Sequence, residues 1–182
     1  MTLPPPSRRP GTPYEDGRIR LEEYDVPGSD GEMHMRTVVR HPGAVVLLPM
    51  KDDGKIVLVR NYRLPLNRHL VELPAGCLEK GEEVLTAAHR ELAEETGYRA
   101  GKLTWLMAFY PSPGLLDERM DVFVAQELTP GERHLDATER MEVVEWPLAQ
   151  LVAAIDEGEI DDAKTIAATL RMLRHPDFPG EP

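Results

Sequence analysis

Apolar positions follow two periods along this chain. Residues 44–50 (AVVLLPM) and 55–62 (KIVLVRNY) are near-continuous apolar runs, separated by the turn Asp52-Asp53-Gly54. Short β-branched runs bounded by turn residues predict strands buried on both faces. Residues 18–26 and 33–40 flank Pro27-Gly28-Ser29-Asp30-Gly31 and predict a hairpin, after which His41-Pro42-Gly43 breaks the chain. Further strands are predicted near 102–109, 120–127 and 142–146. From about Glu82 to Thr96 the period becomes helical, with Leu85, Ala88 and Leu92 forming one apolar stripe. Gly81 suits the N-cap, Glu82 and Glu83 suit the positive helix start, and Gly97 suits the stop. Two more helices are predicted at about 147–157, after Pro147, and 162–174. Strands, helix, strands, helices in that order predict an α+β or α/β sandwich with a mixed sheet between helices. The reading divides the chain into a Pro-rich mobile tail (1–16), an N-terminal β segment (17–42), a main domain (43–176) and a short tail (177–182). A lone hairpin is marginal, so segment 17–42 needs a packing partner, in its own domain or in another subunit.

The chain has 182 residues, enough for one domain with a sizeable core. It is 41% hydrophobic, yet no run approaches the length of a membrane span, and MTLPPPSRRP lacks the apolar region of a signal peptide. Cys77 is the single cysteine, which excludes an intrachain disulfide and points to a reducing cytoplasm. A net charge of −11 argues against binding nucleic acid polymers. It still allows a small phosphorylated ligand, whose charge a metal and a few arginines can meet.

The candidate chemistry is concentrated in residues 76–98, GCLEKGEEVLTAAHRELAEETGY. Glu91 and Glu95 stand four apart on the predicted helix, with Glu94 between them. Like charges at that spacing repel, so their clustering calls for a cation. Hard oxygen ligands with no neighbouring ligating His point to Mg²⁺ or Mn²⁺. An acidic pair alone is equally readable as a solvated helix face. Here, however, Gly76, Glu82, Arg90-Glu91-Leu92, Glu94-Glu95 and Gly97 keep the complete spacing of the Nudix box. The chain therefore resembles the Nudix hydrolases. That resemblance implies an αβα sandwich, with metal held by Glu91, Glu95 and the backbone carbonyl of Ala75. Gly76, Glu82, Arg90 and Gly97 are implied as structural, Arg90 reaching back to Glu82.

Further residues resemble the ADP-ribose pyrophosphatase subgroup, over about residues 17–175. Pro113 lies fifteen residues after Tyr98, at the subgroup's spacing, and Ser112, Gly114 and Glu118 match positions lining its substrate site. By themselves these residues read as a rigid Pro-Gly turn. Arg36 and Arg63 match substrate-contacting positions; each is otherwise an ordinary strand-end charge. A guanidinium suits phosphate recognition through paired donors. The acidic loop 134–142 carries Glu139, which matches a glutamate that reaches the metals. Ala137 stands where some members have a second acid, leaving the general base open among Glu139, Asp136, Glu142 and Glu94. Residues 158–165 resemble the turn into the subgroup's last helix. Where members stack adenine on an aromatic residue, this chain has Arg18 and Ile19. Cys77 reads as a small hydrophobe.

The resemblance implies Mg²⁺-dependent hydrolysis of ADP-ribose, or a related nucleoside diphosphate sugar, to AMP and ribose 5-phosphate. It also implies a homodimer that exchanges its N-terminal segments. The alternatives are hydrolysis of GDP-mannose, FAD or NADH, or a sensor that binds ADP-ribose without cutting it.

Overall fold

The computed structural model describes residues 5–11, 13–134 and 141–178. Three sheets follow from the strand pattern. The first is the N-terminal sheet, in which β1 (Ser7–Arg8) and β2 (Tyr14–Glu15) pair with β3 (Arg20–Pro27), and β3 forms the expected hairpin with β4 (Met33–Arg40). Two short stretches inside the Pro-rich region read as a tail thus carry strand pairing, and the hairpin becomes part of a four-stranded sheet.

The two apolar runs separate. β5 (Ala44–Pro49) lies in a mixed sheet of order β8-β5-β10-β9, with β8 (Ala75–Cys77), β9 (Tyr98–Phe109) and β10 (Met120–Pro130). β5 and β10 run parallel; the other pairs are antiparallel. β6 (Lys55–Arg63) lies in an antiparallel sheet of order β11-β6-β7, with β7 (Arg68–Glu72) and β11 (Met141–Pro147). A single bridge, Met50 to Ile56, links the two runs.

Every residue of β5 is buried, because the strand faces two cores. Val46 and Leu48 pack with Leu58, Val122, Leu151 and Met172, under α2 (Leu148–Asp156) and α3 (Ala163–Met172). Val45 and Leu47 point the other way, packing with Ala87, Ala88, Leu92 and Phe123 under α1 (Val84–Thr96). Side chains alternate across a strand, so one apolar run glues a helix layer to each face. This is the αβα sandwich expected. Among the described residues no helix is long and apolar enough to cross a membrane.

α1 departs from expectation at its start. It is capped by Glu83 rather than Gly81, which sits before it in the left-handed region at φ 78°. Leu85 is 51% exposed, so the buried face runs through Ala87, Ala88 and Leu92 instead. Gly97 closes the helix at φ 75°, its N–H donating to Ala93 O. That conformation strains any residue with a Cβ.

Candidate active site

The buried face of α1 carries two charges. Glu91 and Glu95 are 8% and 3% exposed, and with Glu94 they line a cleft of about 1280 Å³. β8 forms the adjoining wall. Glu95 Oε2 accepts the N–H of Ala75 at 3.0 Å. At Gly76 a Cβ would fall 1.9–2.2 Å from the Glu91 carboxylate, so only glycine leaves that carboxylate its place. Arg90 ties the group together. Its Nε and one terminal nitrogen donate to the two Glu82 oxygens at 2.8 Å each, and it reaches the Cys77 carbonyl at 3.1 Å. Its other terminal nitrogen donates to Glu91 at 2.6 Å and Glu94 at 3.0 Å. The Glu82 carboxylate in turn holds Arg90 above its ordinary pKa, and Arg90 holds Glu82 below the usual carboxylate range. An eight-residue separation on the chain becomes a bidentate clamp between the loop and the helix.

Among the described residues no three His, Cys, Asp or Glu side chains converge as a ready-made metal cluster. The donor chemistry nevertheless fits a hard divalent cation. Glu91 and Glu95 are oxygen ligands beside strand β8, and the missing side chain of Gly76 keeps the space open. Asp136 and Glu139, the other acids expected here, lie outside the described residues. Glu142 is exposed on β11, opposite Arg60, and is not among the residues lining the cleft.

Arg63, at the end of β6, lines the cleft. Its Nε and one terminal nitrogen donate to the two oxygens of Glu72 at 2.8 Å each. Burial pulls the Arg63 pKa down, but the bonds to Glu72 outweigh it and raise it. Arg36 lies on β4, exposed, donating to the Met35 carbonyl at 3.1 Å, and does not line the cleft of its own chain. Ser112, Pro113 and Gly114 form an exposed turn in which the Ser112 carbonyl accepts the N–H groups of Leu115 and Leu116. Glu118 is mostly buried, 3.7 Å from His41 Nδ1. It lines a second cavity of about 430 Å³, which shares Arg63 and Ala75–Cys77 with the first.

Several contributors escaped the sequence reading. Asp117 straps the loop to β4, accepting from Arg40 at 2.9 Å and from the His41 N–H at 2.8 Å. Arg20 on β3 and Lys80 lie on the cleft rim as well; of the two residues named for the adenine position, Arg18 lines the rim and Ile19 does not. A charge on a rim strand has no sequence signal to separate it from any solvated charge. Cys77 lines both cavities, 3.6 Å from His41 Nε2, and burial pushes its thiol pKa up.

A sandwich with a glycine-backed pair of glutamates at the cleft is the architecture of a Nudix pyrophosphohydrolase. A family profile described as the NUDIX domain matches residues 39–169, and the chain belongs to that family. It is 48% identical over 152 residues to the ADP-ribose pyrophosphatase of Bacillus subtilis (strain 168), covering 82% of this chain and 81% of that protein. It is 41% identical over 152 residues to the methanol dehydrogenase activator of Bacillus methanolicus, covering 82% of each. A crystal structure of an ADP compounds hydrolase superposes with a TM-score of 0.78 at 26% identity, covering 94% of both chains.

Proposed function

We propose that the chain hydrolyses the pyrophosphate bond of ADP-ribose to AMP and ribose 5-phosphate, with Mg²⁺ as cofactor and Mn²⁺ as a substitute. The observation that carries this reading is the buried pair Glu91 and Glu95, set against strand β8 where Gly76 clears the space. The similarity to the Bacillus subtilis ADP-ribose pyrophosphatase supports the substrate. Glu91, Glu95 and the Ala75 carbonyl would hold the cation. When bound, it supplies charge neutralisation on the phosphate oxygens and a more acidic water. Arg90 keeps Glu91 and Glu94 in place on α1. Arg63 orients the pyrophosphate through the guanidinium edge turned away from Glu72. A carboxylate, Glu139 or one of Asp136 and Glu94, takes the proton of the attacking water; Glu142, exposed and outside the cleft lining, is not a candidate. The water oxygen bonds to one phosphorus as the bridging P–O bond breaks, and the other half leaves as a phosphate.

The same reading includes a cytoplasmic homodimer. Arg36 lies on the N-terminal sheet and does not line the cleft of its own chain, which supports a role for it at a partner's site. The decisive experiment is turnover of ADP-ribose with Mg²⁺, with product identification by chromatography. AMP and ribose 5-phosphate in equal amounts, lost with chelator and restored by Mg²⁺, are expected. Binding without products would overturn the reading in favour of a sensor. Faster cleavage of GDP-mannose, FAD or NADH would overturn the substrate.

A further inference from the structure

We propose that Glu72 and Lys164 are positioning residues, which hold the Arg63 guanidinium in the orientation that meets the substrate phosphates. The proposal rests on the reading of Arg63 as a phosphate contact. Glu72, the last residue of β7, is fully buried at 0% exposure, and Lys164 on α3 is 6% exposed. A buried carboxylate needs compensating charge, and Glu72 has it from two sides. Arg63 engages both oxygens as a fork, and Lys164 pairs with one of them.

The far side of the network is pinned as well. Lys164 also donates to Asp162 Oδ1 at 3.0 Å. Asp162 caps α3, its Oδ2 accepting the Thr165 N–H at 3.0 Å and the Thr165 hydroxyl at 2.5 Å. That hydroxyl oxygen accepts the N–H of Leu73, the residue after Glu72, at 2.8 Å. The start of α3 and the end of β7 are therefore stitched around Glu72, and Glu72 is the fixed point against which Arg63 rests. A guanidinium has five N–H donors. Pinning Nε and one terminal nitrogen leaves the other, Nη1, without a hydrogen-bond partner among the described residues, on a side chain that lines both cavities.

Stability alone gives a weak reason for this arrangement. Desolvating two charges offsets most of their mutual attraction, and apolar residues of similar volume commonly do as well. Orientation is a stronger one. A free arginine samples many rotamers, and fixing it beforehand removes that ordering cost from binding. Lys164 adds a second effect: by sharing the Glu72 charge, it leaves more of the Arg63 charge to attract an anionic ligand.

The test is a kinetic cycle on the full-length protein with ADP-ribose and MgCl₂, using Arg63→Ala, Glu72→Gln, the double variant and Lys164→Met. Arg63→Ala and Glu72→Gln are each expected to raise KM about tenfold, with kcat changed less than about threefold. The double variant should be no worse than Arg63→Ala, because Glu72 acts through Arg63. Lys164→Met should raise KM several-fold. Guanidinium ion at millimolar concentration should lower the KM of Arg63→Ala, and methylammonium should not, since only the planar ion reproduces the fork on Glu72. Unchanged KM in folded Glu72→Gln, or losses that multiply in the double variant, would overturn the proposal. Should Glu72→Gln not fold, failure of guanidinium rescue overturns it instead. An unchanged KM in Arg63→Ala would overturn the substrate role of Arg63 itself, a separate failure.

Discussion

At the cleft, one cation is ringed by carboxylates: Arg90 bonds Glu82, Glu91 and Glu94. In the N-terminal sheet, one carboxylate is ringed by cations: Glu22 takes Arg8, Arg20 and Arg40, with the Tyr24 hydroxyl as a further donor. In the sheet cluster the chain's own side chains engage Glu22 from several directions, and Arg40 continues to Asp117. Its bond to Arg40 holds the Glu22 carboxyl down to about 2, against burial. The cleft gathers Glu91, Glu94 and Glu95 on one helix: Glu91 and Glu94 share one terminal nitrogen of Arg90, and Glu95 also feels the charge of Arg63. The same two residue types, in inverted proportion, make a fastener in the sheet and line a cleft at α1.

Removing one cleft carboxylate should break the contrast most forcefully. Glu95→Gln keeps shape and the acceptor for the Ala75 N–H, but loses the charge. A fall in kcat on the order of a thousandfold at saturating Mg²⁺ is expected, about 4 kcal/mol of transition-state stabilisation. Turnover near that of the wild type would show that the Glu95 charge is not needed for the reaction. Gly76→Ala should come next. Its Cβ meets the tip of Glu91, which can swing aside. The expected result is a loss of roughly a hundredfold in kcat, with the melting temperature nearly unchanged. A large drop in melting temperature with intact kcat would show that Gly76 serves packing instead. The smallest effect on turnover belongs to Glu22→Gln. Because the folded-state pKa of Glu22 is depressed from 4.5 to about 2, its contribution to stability is fully present above the higher value and lost as pH falls through the lower. Thermal melts between those two values should show a shallower acid loss in Glu22→Gln than in the wild type, with activity at neutral pH retained. An unaltered acid slope would mean that the sheet cluster fastens nothing.

The main strands and helices were legible because burial on two faces leaves long apolar runs, and burial on one helix face leaves a spaced stripe. β7 and β8 were not, since Arg68-His69 and Ala75-Gly76-Cys77 carry no strand pattern and owe their pairing to β6 and β5. Spacings of three and four fit two adjacent stripes, so the pattern alone places Leu85 on the buried one. The true one includes Glu91 and Glu95, which no hydrophobic pattern can register. At the site, the glutamate pair and Gly76 stood out because several residue types must recur at fixed offsets. Glu72 did not: an isolated glutamate in a short strand reads as surface, and its partner Lys164 lies 92 residues away.

The parallel pairing of β5 with β10 sets Ala44 against Met120. Parallel strands joined over so long a stretch are slow to meet, because the loop must close before any ladder contact forms. During synthesis, β5 emerges well before β10, and its apolar residues stay unpaired on that edge until most of the chain has left the ribosome. The strand that ties both cores together thus waits longest, of its sheet neighbours, for its parallel partner, which leaves it open to mispairing. Heterologous yield should depend on how well that interval is chaperoned.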